Sequence, residues 1–257
     1  MLPFIEKPLK NAALEVQEYV RLVMATFHAI VTRPRYMHDI VEQFDAIGVG
    51  SLTVVLLTGF FTGAALSSQG GLTLDPFGAR PIVGRLVSAS MIKELGPVLT
   101  ALMLTGRIGS GIAAEIGSMV VTDQINALRA LGTDPIRKLV VPRVLAGVLM
   151  APVLTVISDF VGIFGGWIVA RFQLQVASGV YWSSVTYVLY PQDLWMGLVK
   201  PFVFGFAIVT IACHVGLRTR GGTQGVGEAT TVSVVSGSVA VIALDFFVTQ
   251  LLIALIY

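Results

Sequence analysis

The chain has 257 residues, of which 55% are hydrophobic and 12% are charged, and its formal net charge is +2. Soluble domains carry about 25% charged residues, and a globule of this size has too little interior to hide so much apolar side chain. The composition therefore excludes a soluble enzyme and a disordered chain, and it predicts an all-α integral membrane protein. The 17 basic residues form no dense tract, so nucleic acid is not an expected partner.

The first 45 residues predict an amphipathic helix followed by a linker. Charged residues interrupt this segment, so it lacks the apolar core of a signal peptide. Apolar residues recur every three or four positions from Leu9 to Ile30, and Pro34 is expected to end the helix. Such a helix should lie flat in the membrane interface, although packing on another subunit is the alternative. We assign 1–45 to this helix and its linker, and 46–257 to a transmembrane domain.

Five apolar runs are long enough to cross a bilayer, which takes about 20 residues. Their approximate bounds are 46–66, 86–106, 144–170, 195–217 and 230–256. The second run contains Lys93 and Glu94, and the fourth begins close to Lys200. These charges affect the predicted edges of the spans rather than their number.

The distribution of Lys and Arg predicts the orientation, because these residues concentrate on the cytoplasmic side of membrane proteins. With the N-terminus in the cytoplasm, twelve of them lie on that side: five in 1–45, five in 107–143, and Arg218 and Arg220. Only three lie in the loops on the other side, and two lie within spans. We therefore expect a cytoplasmic N-terminus and, after five spans, a C-terminus outside.

Segment 107–143 predicts a helix between the second and third spans. Apolar residues fall near helical spacing over 116–131, and Gly132 can adopt the left-handed conformation that ends a helix. Asp134 and Pro135 then resemble an N-cap followed by proline at the first helical position. A helix of about four turns held by two spans suits a docking surface, and a solvated loop helix is an equal alternative.

The sequence contains no site for ATP hydrolysis of the P-loop type. The pattern G-x-x-x-x-G-K-[ST] is absent, and none of the five lysines follows a glycine. If ATP drives the protein, hydrolysis must occur on a partner. Cys213 is the single cysteine, and together with His214 it is expected to pack rather than to ligate a metal.

Ionisable residues inside a membrane are costly and are candidates for function. Lys93 and Glu94 are adjacent, so they point about 100° apart on a helix and do not face each other. Each is expected to need a partner across a dimer or from a lipid head group. Pro97 should free a backbone carbonyl nearby. The pair could be structural or could line a lipid cavity, whereas Asp159 and Asp245 are expected to be hydrogen-bonding anchors between helices.

Two G-x-x-x-G patterns are candidates for close helix contacts, including contacts across a dimer. They run from Gly59 to Gly63 and from Gly162 to Gly166.

Several motifs together resemble the MlaE/YrbE family of permeases, which are the membrane subunits of ABC transporters that act with MCE proteins on lipids. The motifs are KELGPVLT at 93–100, GRIGSG at 106–111, AEIGSM at 114–119, GVGEATT at 225–231 and LDF at 244–246.

This resemblance implies a homodimer in the bacterial inner membrane, with two cytoplasmic ATPase subunits that carry ATP and Mg. It implies no cofactor on the chain itself. It further implies a periplasmic MCE-domain protein, expected as a hexameric ring, and phospholipid as the substrate. The expected role is to move lipid between the inner membrane and the MCE partner, which contributes to outer-membrane lipid asymmetry.

The resemblance also implies the two candidate sites of the chain. By this resemblance, the wall of an outward-facing lipid cavity would include Lys93, Glu94 and Leu95. From the sequence itself, span one presents an apolar wall that suits a lipid tail and equally suits the bilayer. The candidate cavity residues taken from this span are Leu57, Phe60, Phe61, Leu66 and, at its outer end, Gln69. The resemblance further implies that the predicted helix 116–131 is a coupling helix that contacts the ATPase. Its candidate contact residues are Glu115, Met119, Asp123, Ala127, Leu128 and Arg129.

Two other functions compete with a lipid permease. An ion-coupled secondary transporter could use Glu94 or Asp245 as its proton site, but such proteins usually show an internal repeat and no repeat is evident here. A scaffold without transport would leave the charges at mid-depth unexplained. The lipid permease is therefore the expected function.

Overall fold

The computed structural model describes residues 3–32, 36–187 and 190–256, without the side chains of 3–9, 11, 12 and 256. Every regular element in these ranges is helical. The α-helices are α1 (Pro3–Val31), α2 (Met37–Ile47), α3 (Leu52–Leu74), α4 (Val83–Ser90), α5 (Gly96–Leu104), α6 (Ser110–Val121), α7 (Gln124–Ala130), α8 (Val141–Phe172), α9 (Ser178–Thr186), α10 (Pro191–Leu217) and α11 (Gly222–Ile256).

The prediction of five membrane spans is confirmed, because five helical stretches of the described residues are long and apolar enough to cross a bilayer. They are Met37–Phe77, Arg80–Val121, Ile136–Phe172, Pro191–Leu217 and Gly222–Leu255. Span one starts earlier than predicted, since α2 leads into α3 through one 3-10 turn. The spans alternate in direction, so α7 lies at one end of the bundle and α9 at the other.

Span one packs against span three through small residues. A Cβ atom on Gly63 would overlap the carbonyl oxygen of Gly162, and one on Gly59 would lie 2.7 Å from the carbonyl oxygen of Ser158. Gly166 faces the carbonyl oxygen of Gly63 in the same contact. The two G-x-x-x-G patterns therefore meet each other within one chain, where close backbone approach is needed. A contact across a dimer, the other possible use of these patterns, stays a prediction.

Span two contains two π-helical turns, Met91–Leu95 and Thr105–Gly109, which separate α4, α5 and α6. Such turns insert an extra residue and recur at functional sites. Pro97 contributes to the first, because it has no N–H to continue the α-helical ladder. The turn carries Lys93 and Glu94 and directs them towards α10.

The predicted helix 116–131 is wrong as a single element. α6 continues span two to Val121, and α7 covers only Gln124–Ala130. The break lies at Asp123, whose φ of 57° is left-handed, a conformation that Asp and Asn tolerate better than most residues. Apolar residues keep their helical spacing on both sides of Asp123, so the periodicity of the sequence did not indicate the break.

The end of the 122–135 loop is built as expected. Gly132 has a φ of 74°, and its N–H donates to the carbonyl oxygen of Arg129. The N–H of Ile136 donates to the Asp134 side chain at 3.0 Å, which confirms the predicted N-cap. The helical run of span three therefore starts before the expected position 144.

The helix α1 confirms that the N-terminal segment is helical. It rests on the bundle through the buried residues Leu22, Thr26 and Ala29, while Val16 and Phe27 remain exposed. These exposed apolar residues fit a membrane interface, which stays a prediction, as does the division into two domains. Leu9 and Pro34 were part of the prediction and lie outside the residues whose side chains are described.

Candidate functional site

Five charged residues of spans two, four and five lie close together, and we call them the charged cluster: Lys93, Glu94, Asp193, Lys200 and Asp245. Lys200 is fully buried at its centre, and its Nζ atom lies 2.5 Å from Glu94 Oε2 and 3.1 Å from Asp245 Oδ1. One ammonium group therefore joins the π-helical turn of span two, α10 and α11. Because both carboxylates share this cation, the charges of three spans are held in register.

The backbone of span two supplies a further contact to the same ammonium group. Lys200 Nζ donates to the carbonyl oxygen of Lys93 at 2.9 Å. In a regular α-helix this carbonyl would accept from residue 97, which is a proline and has no N–H. The carbonyl that Pro97 would leave free in an α-helical register therefore accepts from a buried cation of another span.

The side chain of Lys93 points to a separate carboxylate. Its Nζ atom lies 2.7 Å from Asp193 Oδ1, and Asp193 is 4% exposed. Lys93 and Glu94 thus diverge as expected from adjacent helical positions. The expectation that each needs a partner from a second copy or a lipid is wrong, because both partners come from the same chain.

Asp159 and Asp245, the two predicted hydrogen-bonding anchors between helices, have different surroundings. Asp245 pairs with Lys200 across spans four and five, which fits an anchor between helices. Asp159 lies in span three against Gly96, where an added Cβ would overlap its Oδ1 atom. Within the described residues this Oδ1 atom has no hydrogen-bond partner. Asp159 is therefore packed against Gly96, and the predicted hydrogen-bonding anchor is not seen at its Oδ1 atom.

An apolar surface groove of about 530 Å³ runs along α3. We call it the span-one groove; it is lined by Leu57, Thr58, Phe61, Thr62, Ala65, Leu66 and Gln69. Four of the predicted cavity residues belong to it. Phe60 does not, because it sits against Gly165 of span three.

The predicted cavity residues therefore fall into two groups. Leu57 and Phe61 are 54% and 64% exposed on one face of span one. Lys93 and Glu94 are held by ion pairs, and Leu95 packs beside the buried core around Val87 and Met91. No lining residue of the span-one groove is shared with the charged cluster.

The predicted ATPase contacts are also divided between elements. Glu115 and Met119 lie on α6, which belongs to span two, whereas Ala127, Leu128 and Arg129 lie on α7, and Asp123 occupies the break between the helices. Ala127 and Arg129 are exposed and Leu128 is half-buried. These residues share one end of the bundle, and their contact with an ATPase stays a prediction.

Glu115 has a structural partner that the sequence did not indicate. Its Oε1 atom lies 2.7 Å from Arg143, a residue of span three that is 4% exposed. Arg143 also donates to the carbonyl oxygen of Leu139 at 2.7 Å. Glu115 therefore contributes to the junction of spans two and three whether or not it meets another protein.

A second, more polar cavity lies where α1 meets α10 and α11 at the α7 end. Its volume is about 610 Å³, and we call it the α1 cavity. The lining residues are Glu15, Val16, Tyr19, Ile211, His214, Val215, Arg218, Thr219, Arg220, Gly225, Glu228, Ala229, Val232 and Ser236. The sequence gave no indication of this cavity, because its walls come from segments about 200 residues apart.

Tyr19 fastens α1 to span four beside this cavity. The Thr210 hydroxyl donates to the carbonyl oxygen of Phe206, so its oxygen accepts from the Tyr19 hydroxyl at 2.8 Å. Burial raises the pKa of Tyr19 above its usual value, although the hydrogen bond with Thr210 acts in the opposite direction. The residue is therefore neutral and serves as a hydrogen-bonding anchor at physiological pH.

No group of three His, Cys, Asp or Glu side chains in the described ranges could hold a metal ion.

Sequence reasoning missed the partners Asp193 and Lys200 rather than the charges themselves. Glu94 and Lys200 are 106 residues apart, and no local pattern pairs them. The one available signal was Pro97, since a donor from another span is one way to satisfy a freed carbonyl inside a membrane.

The chain is similar to known transporter permeases along most of its length. Residues 40–251 match the family model described as Permease MlaE, so the match leaves out α1. The chain is 41% identical over 239 residues to a probable ABC transporter permease protein of Rickettsia felis, covering 93% of this chain and 92% of the relative.

Two further relatives have more specific names. The intermembrane phospholipid transport system permease protein MlaE of Haemophilus influenzae is 37% identical over 230 residues, or 88% of each chain. The chloroplastic protein TRIGALACTOSYLDIACYLGLYCEROL 1 of Arabidopsis thaliana is 35% identical over 215 residues, covering 84% of this chain and 61% of the relative.

Proposed function

The chain belongs to the Permease MlaE family, and we propose that it is the membrane subunit of an ABC transporter for phospholipids or related lipids. The lipid would move between the bacterial inner membrane and a periplasmic MCE-domain protein, and this traffic would maintain outer-membrane lipid asymmetry. The observation that carries the proposal is the similarity to the Haemophilus intermembrane phospholipid permease, which extends over 88% of both chains.

The proposed assembly contains two copies of this chain, two cytoplasmic ATPase subunits and an MCE-domain ring. ATP and Mg would be held by the ATPase, since the sequence has no P-loop of its own. The apolar exposure of span one, at Leu57 and Phe61 among others, supports a contact with lipid or with the second copy. A contiguous apolar surface of this kind calls for an apolar partner.

In this proposal the span-one groove takes the acyl chains, and the charged cluster keeps spans two, four and five in register beside it. Glu94 is the member of that cluster that can also reach a head group, because its side chain is 42% exposed while Lys200 is fully buried. The proton-site alternative has no comparable support, since Glu94 and Asp245 both pair with Lys200.

Docking of the ATPase is proposed at α7. Leu128→Glu would place a charge on a half-buried apolar contact and should weaken ATPase association by roughly tenfold, or about 1.4 kcal/mol. Ile82→Glu is the control, because Ile82 is 46% exposed at the opposite end of the bundle. Equal ATPase recovery with wild type and Leu128→Glu in a pull-down would remove α7 from the docking surface.

Co-purification tests the proposed assembly. The full-length chain, purified from its host in mild detergent, should carry an ATPase and an MCE-domain protein. The reconstituted complex should transfer phospholipid between vesicles and the MCE protein in the presence of ATP. The proposal would be contradicted if the chain purified with neither the ATPase nor the MCE-domain protein. It would also be contradicted if phospholipid transfer did not depend on ATP.

Cysteine labelling tests the proposed orientation. Cys213 is buried, so the background from the natural thiol should be low. Phe77→Cys should react with an impermeant maleimide from the periplasm, and Thr223→Cys should react only in inverted vesicles. The reverse pattern would invert the protein and remove the ATPase contact at α7.

A further inference from the structure

We propose that the α1 cavity is a second lipid site, which binds a phospholipid with a zwitterionic head group in the leaflet at the α7 end of the bundle. In the proposed orientation this is the cytoplasmic leaflet. The site is separate from the span-one groove, goes beyond the proposed function and requires no transport step. Its occupant is inferred from the charges, the depth and the opening of the cavity.

The charged lining residues of the cavity balance. Two of them are basic, Arg218 and Arg220, and two are acidic, Glu15 and Glu228. Arg218 is already engaged, since its guanidinium lies 3.5 Å from Glu15 and 3.3 Å from Glu18. A ligand with one anionic and one cationic group matches such a lining better than an anion alone.

Arg220 and Glu228 are the two charges that are available to a ligand. Both are exposed at the rim, and neither has an ion-pair partner among the described residues. Arginine binds phosphate through paired N–H donors, and a carboxylate accepts hydrogen bonds from an ammonium group. The cavity therefore offers one site for the phosphate and one for the amine of a zwitterionic phospholipid.

The depth of the cavity fits a lipid rather than a free head group. Ile211 precedes Arg218 by seven residues, and Ser236 follows Glu228 by eight, so the walls extend roughly 10–12 Å from the rim along α10 and α11. Residues along this distance include Val215 and Val232. A charged rim above an apolar wall has the polarity of a head group with its acyl chains.

The cavity also opens towards an apolar surface. Val16 on α1 and Val232 on α11 are 63% and 43% exposed at its edge, and Val235 and Val239 continue the exposed surface of α11. A lipid can therefore enter laterally from the bilayer. The total volume of about 610 Å³ is within the range of small-molecule sites.

Photocrosslinking from position 232 tests the site. Full-length protein with a photoreactive phenylalanine at Val232 is delipidated in detergent and titrated with phosphatidylethanolamine or phosphatidylglycerol of the same acyl chains. Phosphatidylethanolamine should crosslink at concentrations roughly tenfold lower, because only its head group carries the ammonium. Equal crosslinking of the two lipids, or a chain-to-chain crosslink that excludes lipid, would overturn the proposal.

Charge-neutral variants identify the groups that hold the head group. Arg220→Gln should weaken crosslinking of both lipids by roughly tenfold, because both contain the phosphate. Glu228→Gln should reduce only the preference for phosphatidylethanolamine. Arg171→Gln and Glu42→Gln change exposed charges outside the cavity and should have no effect. Unchanged crosslinking in both cavity variants would overturn the assignment.

A soluble competitor distinguishes a lipid from a head group alone. Glycerophosphoethanolamine lacks acyl chains, so it should compete poorly even at a hundredfold excess. Efficient competition at equal concentration would contradict a lipid site. None of these measurements uses ATP, so the result is independent of whether the chain transports lipid.

Discussion

Residues of the span-one groove were predicted to line one lipid cavity together with Lys93 and Glu94 of the charged cluster, but the structure gives the groove and the cluster opposite characters. The groove is apolar and open, and its residues Leu57 and Phe61 are more than half exposed. The cluster is internally paired around a lysine with no exposed surface. Charged residues inside a membrane thus mark either a ligand site or a helix junction, and only the position of their partners distinguishes the two.

The charged cluster and the span-one groove are therefore expected to have different roles in the permease. Each charge of the cluster has an oppositely charged partner within it, although three carboxylates share two ammonium groups. The groove instead leaves apolar surface without a partner among the described residues. Apart from Glu94, whose side chain is 42% exposed, we therefore expect substitutions in the cluster to affect folding first. Substitutions in the groove should affect lipid transfer first.

The largest expected effect comes from Lys200→Met. It removes the cation shared by Glu94 and Asp245 and leaves two carboxylates without their partner inside the bundle. Breaking a fully buried pair costs about 3–5 kcal/mol, and the loss should stay below that range because the side chains of Glu94 and Asp245 are 42% and 22% exposed. It should be measurable as a lower free energy of unfolding in SDS–detergent mixtures.

Lys138→Met provides a matched control for this substitution. Lys138 forms an ion pair with Asp39, and its side chain is 35% exposed, whereas Lys200 is fully buried. Its removal should cost at most about 1 kcal/mol. Equal losses in the two variants would mean that the charged cluster is no more structural than a surface pair.

Next in size is the effect of Gly63→Ala on the contact behind the groove. The added methyl group would overlap the carbonyl oxygen of Gly162, so α3 and α8 must separate at a cost of about 1–3 kcal/mol. Gly111→Ala has no atom within 4 Å of the new methyl group and should be neutral or slightly stabilising. Equal free energies of unfolding for the two variants would mean that the contact between Gly63 and Gly162 does not stabilise the fold.

Glu94 tests whether the two regions cooperate. Glu94→Arg places a second cation beside Lys200 and should abolish lipid transfer while the complex still assembles. Glu94→Gln keeps the shape and a hydrogen-bonding oxygen, so it should retain part of the activity. A proton-coupled mechanism predicts instead that both variants are equally inactive in the transfer assay.

The smallest effect on stability is expected in the groove itself. Phe61 is 64% exposed, so Phe61→Ser should change the free energy of unfolding by less than about 0.5 kcal/mol. Lipid transfer should fall severalfold, because the ring supplies apolar contact to the acyl chains. Normal transfer by this variant would assign the groove to the bilayer or to another subunit.

Features set by local chemistry were predictable from the sequence. The five spans follow from apolar length, the cap at Asp134 from its side chain, and the freed carbonyl near Pro97 from the missing N–H. The helix 116–131 failed because a single left-handed residue, Asp123, interrupts a spacing that otherwise continues.

Features set by contacts between distant segments were not predictable. The pairs of Lys200 depend on how three spans meet, and the G-x-x-x-G patterns did not reveal that they contact each other. The α1 cavity has no sequence signature either, since Tyr19 and Arg218 become neighbours only when α1 folds onto span four.

The most direct test of the central claim is lipid crosslinking from position 61 in the assembled transporter. With a photoreactive phenylalanine at Phe61, bound phospholipid should crosslink after detergent exchange, and the signal should fall when ATP is hydrolysed. The same probe at Val153, which is 50% exposed on span three and lies outside the groove, should give a signal that ATP does not change. An ATP-independent signal at both positions would contradict a lipid pathway along span one.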